Sequence, residues 1–87
     1  MNILKCYSST LQRNIDFDEF VKDKSDTWAI ASQSTMTILL SDGTRILFRS
    51  VEDIEDAYKL AGLVFQHIDF IGTFDKEVKN YLLSRVR

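Results

Sequence analysis

The chain has one histidine, His67, two residues before Asp69, and one cysteine, Cys6. A carboxylate that orients an imidazole makes a general base, and an imidazole beside a thiol makes a nucleophile. In an extended segment, residues two apart share a face, so His67 and Asp69 can touch. Nothing in the sequence brings Cys6 to His67. The readings set beside these are a structural or surface histidine and a buried, inert thiol. A single histidine and a single cysteine cannot close a zinc site unless chains share it. No catalytic residue, metal or cofactor is expected.

Two other sets of side chains carry charge at regular spacing. Arg45 and Arg49 alternate along one strand-like run and so lie on one face. They can touch phosphates or a partner, or flank a sheet and pair with carboxylates. Glu52, Asp53, Glu55 and Asp56 load the start of a helix-like run, where the helix dipole favours anions. They read either as a solvated helix start or as a surface that binds a basic partner. A second acidic stretch, Asp16, Asp18, Glu19 and Asp23, would extend that surface if both fell on one side.

The elements that must position these groups follow from periodicity. "NILKCYS" (2–8) suggests a short strand. Asp16 with Glu19 has capping-box spacing, and Ile15 with Phe20 has staple spacing, so a helix is expected over about 16–24, with Phe17, Phe20 and Val21 inward. "DTWAIAS" (26–32) reads as a strand. "TMTILLSDGTRILFRS" places two strands around Asp42-Gly43, a pair that accepts positive φ in a two-residue turn. That turn would set Leu39 opposite Ile46 and Leu40 opposite Arg45. Ser50 is expected to cap a helix over 51–62 ending near Gly62, with Ile54, Tyr58 and Ala61 inward. "LVFQHIDFI" (63–71) reads as a buried strand. Thr73 can cap a final helix whose apolar face is Phe74, Val78, Tyr81, Leu82 and Val86. The expectation is one small α+β domain over 1–87, a mixed or antiparallel sheet with about three helices, in the order β-α-β-β-β-α-β-α.

The run "ILLSDGTRILFRS" (38–50), then "KLAG" (59–62), "LVFQHIDFIG" (63–72) and "YLLSRVR" (81–87), resembles the ATPase domain of phage large terminases over residues 35–87. The departures are chemical. No G-x-x-x-x-G-K-(S/T) run offers a phosphate-cradling loop. The acidic pair that ends the second strand in that family would fall on Ile71-Gly72. Sliding the match back places Asp69 at the metal position and Phe70 at the catalytic glutamate. The resemblance therefore implies a motor scaffold without its chemistry.

Composition bounds the rest. The formal charge is −2, from 11 basic and 13 acidic side chains, too balanced for a strongly basic nucleic-acid binder and too weak for a bulk DNA mimic. Direct nucleic-acid binding is not expected. Six Phe, three Tyr and one Trp, with no proline, suit a packed core rather than disorder. The N-terminal residues lack the apolar run of a leader, and no later segment is long enough to span a bilayer. A cytoplasmic location without a membrane role is the expectation. Two functions remain. The first is a small non-catalytic interaction protein of phage or mobile-element type that binds and inhibits or adjusts a larger machine. That machine would be a packaging terminase or a host defence nuclease complex. The second is a nucleic-acid-linked subunit or enzyme fragment completed by another chain. A homodimer stays open under either.

Overall fold

The computed structural model describes residues 1–87. The elements are β1 (Asn2–Tyr7), α1 (Thr10–Asp23), β2 (Trp28–Ser32), β3 (Thr37–Leu40), β4 (Arg45–Ser50), α2 (Ile54–Tyr58), β5 (His67–Ile71) and α3 (Lys76–Leu83). Their order is the one expected, and the five strands form one mixed sheet, β2-β3-β4-β1-β5. β1 lies at the heart of the parallel part, with Leu4 opposite both Leu47 of β4 and Ile68 of β5. β3 runs antiparallel to β4 and to β2.

Alternation along β1 divides the core between the two faces of the sheet. Tyr7 faces α1, in a cluster with Phe17, Ile38, Ile46 and Phe48. The Phe17 ring meets Phe48 edge-on, 5.3 Å between centroids, a geometry aromatic quadrupoles favour. Cys6 faces the other way and packs with Val51, Ala57, Val78 and Leu82 under α2 and α3. Leu4, Leu47 and Phe65 fill a third cluster.

The hairpin differs from the expected register by one residue. Ile38, not Leu39, stands opposite Ile46, and Leu39 stands opposite Arg45. The Leu40 amide donates to the Thr44 carbonyl at 2.7 Å, which leaves Ser41, Asp42 and Gly43 as a three-residue loop. Gly43 alone takes positive φ, +93°, while Asp42 does not. This is the turn that ends in a left-handed glycine. The Asp42 carboxylate instead accepts from the Thr44 amide at 2.9 Å. The register is decided by the core: only this pairing sets Ile38 and Ile46 on the face that α1 covers.

Helix boundaries also move, each for a reason outside the helix. α1 begins at Thr10, not at 16. Ser9 is extended and its hydroxyl accepts from the Gln12 amide at 3.3 Å, so Asp16 sits inside the helix and accepts from the Gln12 side chain at 2.6 Å. α2 begins at Ile54 because Ser50 and Val51 continue the sheet: the Val51 amide donates to the Tyr7 carbonyl at 2.8 Å. Asp53 replaces Ser50 as the cap. After Tyr58 the chain closes through three-residue turns rather than continuing to 62. β5 is shorter than expected because Phe65 pairs with Val86 instead. α3 starts after Asp75 rather than Thr73, and the Arg87 amide donates to the Phe65 carbonyl at 2.9 Å, which draws the last residues out of the helix.

Candidate functional site

The carboxyl end of β4, one side of α1 and the β2–β3 turn meet around an open cleft of about 770 Å³. This is the side of a parallel sheet on which ligands commonly sit. Arg13, Asn14 and Asp18 of α1 line it from one side, and Gln33, Ser34 and Arg49 from the other. The Arg49 guanidinium is fixed through Nη1, which donates to the carbonyls of Thr35 at 2.9 Å, Met36 at 3.2 Å and Phe48 at 2.9 Å. Met36 is the one residue other than glycine with positive φ, +49°, and its carbonyl also accepts from the Phe48 amide at 2.9 Å. Burial first, and the charge of Arg13 second, pull the pKa of Arg49 below the usual guanidinium value.

Arg13 hydrogen-bonds only to uncharged side chains. Its Nε and Nη2 donate to Asn14 Oδ1 at 3.2 and 2.9 Å, and its Nη1 reaches Ser50 Oγ at 3.5 Å. The ion pairs of the chain are Lys59–Asp56 and His67–Asp69, so neither Arg13, Arg45 nor Arg49 meets a carboxylate. The sequence analysis did not single out Arg13. One turn into a helix whose first turn holds no acid, a cation is disfavoured by the dipole, and that mismatch was the available signal.

Arg45 is exposed and lies away from Arg49, on the sheet face opposite α1. With Leu39 and Ile30 it forms a row across β4, β3 and β2, beside a depression of about 190 Å³. Ile30 is 60% exposed there.

The acidic residues of α2 divide. Asp53 accepts from the Asp56 amide at 2.9 Å, and Asp56 accepts from the Glu52 amide at 3.1 Å and pairs with Lys59 at 3.5 Å. These two shape the turn. Glu52 and Glu55 are exposed and free of such bonds. The acidic stretch of α1 lies across the sheet from α2, so the two do not merge into one patch.

His67 Nε2 lies 2.9 Å from Asp69 Oδ1 on the outer strand β5, both about half exposed. Cys6 stands opposite Phe70, three residues along β5 from His67, or about 10 Å at strand rise. Burial pushes the Cys6 thiol up to about 12. The Tyr7 hydroxyl is buried without a hydrogen-bond partner; burial and then the nearby charge of Asp16 raise its pKa. No three His, Cys, Asp or Glu side chains converge as a metal set, and no helix is long and apolar enough to cross a membrane. Comparison with family models, curated proteins and solved structures returns no match.

Proposed function

We propose that this chain is a non-catalytic interaction protein that docks on a larger machine and inhibits or adjusts it. The observation that carries the reading is the Ile30–Leu39–Arg45 row, on sheet surface that neither helical layer covers. An apolar centre with an arginine at its rim is the usual make-up of a protein contact. β2, "WAIAS", is also an outer strand with no charge or proline, and such an edge can accept an added strand. The partner segment is therefore extended and apolar, with a carboxylate to meet Arg45. Glu52 and Glu55 offer a second, acidic contact at the other end of β4. The resemblance of residues 35–87 to a packaging terminase favours a partner from such an assembly, or a nuclease complex that a mobile element must disarm.

The test begins with affinity capture and identification of the partner, followed by binding of the purified pair. Ile30→Lys and Arg45→Glu should each keep the thermal midpoint and weaken binding at least about tenfold. Equal binding by both variants would place the contact elsewhere. Sedimentation of the parent and of Ile30→Lys separates a hetero-partner from self-pairing along β2.

A further inference from the structure

We infer that the cleft between α1 and the β2–β3 turn is a binding site for a phosphoryl group, held between Arg13 and Arg49. The site uses none of Ile30, Leu39 and Arg45 and does not depend on the docking surface above. Two guanidinium groups share one opening, and neither has a carboxylate within ion-pair distance. Like charges held together without a counter-ion repel, so such a pair calls for an anion between them. The two arginines are also prepared differently. Arg49 is anchored on three carbonyl oxygens through a single nitrogen, which leaves Nε and Nη2 without partners in the protein. The backbone is bent at Met36, where φ is +49°, and its carbonyl is one of the three acceptors. A guanidinium with one side fastened and the other free presents a fixed fork, the geometry that matches two oxygens of a phosphate. Arg13 is held only by Asn14 and by a long contact to Ser50, so it can swing to close on the ligand. Asn14, Gln33, Ser34 and Thr35 line the same opening and add neutral hydrogen-bonding groups.

Asp18 also lines the cleft. Its negative charge opposes the added charges of a run of phosphates. The net charge of −2 acts in the same direction. The ligand is therefore a single phosphoryl group, free or as a monoester, rather than a nucleic-acid backbone.

The experiment titrates the full chain with inorganic phosphate and, separately, with a nucleoside monophosphate, followed by amide chemical shifts at constant ionic strength. Shifts should saturate with at least one ligand and centre on Arg13, Ser34, Thr35 and Arg49. Arg13→Gln, checked for an unchanged thermal midpoint, should weaken binding at least about tenfold. Asp18→Asn should tighten it, an effect that a purely structural role for the arginines would not produce. Arg49→Lys keeps the charge but loses the fork, and should bind more weakly even where its thermal midpoint is unchanged. Absence of saturation with both ligands, or binding that Arg13→Gln and Asp18→Asn leave unaltered, would overturn the assignment.

Discussion

Single side chains here act through burial more than through charge. Cys6 and Tyr7 are both fully buried, and burial raises both pKa values above the unfolded ones, from 9.0 to about 12 for Cys6. For a group raised in the folded state, the protein holds a proton that the unfolded chain releases. The stabilisation is complete below the unfolded pKa and is lost as pH rises from there. The thermal midpoint should therefore fall from pH 9 upward. Cys6→Ala, at a lower starting stability, should fall less steeply between pH 9 and 10; parallel curves would show that Cys6 plays no part. Glycine supplies a second residue-scale test. Gly43 and Gly72 both have positive φ, but an added Cβ at Gly43 meets open space, whereas at Gly72 it runs into the Ser8 side chain. Gly43→Ala should cost about 1–2 kcal/mol from backbone strain alone, and Gly72→Ala more. Urea unfolding midpoints give the order; a reversed order would mean that Ser8 moves aside without cost.

At the scale of elements, α2 shows why an acidic run must be divided before its function is judged. It spans only Ile54–Tyr58 and depends on local bonds for its start. Asp53→Ala removes a cap and should cost about 1 kcal/mol. Glu52→Lys with Glu55→Lys touches no such bond and should leave the midpoint within about 0.5 kcal/mol. Chemical denaturation of the two variants checks both numbers. A large loss in the double glutamate reversal would mean that the carboxylates stabilise the turn, and would withdraw them as a contact surface. The hairpin carries a related lesson. "SDGT" announced a turn, yet whether its loop holds two or three residues sets which side chains α1 covers. A slip of one position would put Ile38 and Ile46 on different faces of the sheet.

Across the whole molecule, 13 of 87 residues are buried, so the margin of stability is small and one lost core contact is a sizeable part of it. The arrangement of ends matters for chemistry as well. β5 ends in Ile71-Gly72 beside Ser8, with no carboxylate at either position, and Asp69 is engaged with His67. No turnover of ATP is expected with Mg²⁺. Phosphate release by the purified chain, abolished in Asp69→Asn, is the result that would reverse this.

Much of the molecule was already legible in the sequence. Apolar spacing of Phe17, Phe20 and Val21, of Ile46 with Phe48, and of Val78 with Leu82 gave the element types, their order and these inward side chains, while the face shared by Ile38 and Ile46 waited on the hairpin register. Those patterns are local, because a strand or helix repeats within a few residues. The ends of elements were not local. Val51 stays extended because Tyr7 accepts its amide, and Arg87 leaves α3 because Phe65 accepts its own; both partners are distant in the chain. The central place of β1 is of the same kind. Asn2, Lys5 and Ser8 make it a weak strand when read alone, and two parallel neighbours, β4 and β5, bury its Leu4, Cys6 and Tyr7. The pairing of Arg13 with Arg49 across one cleft was likewise decided only by tertiary structure, since 36 positions of chain separate them and no periodicity reaches that far.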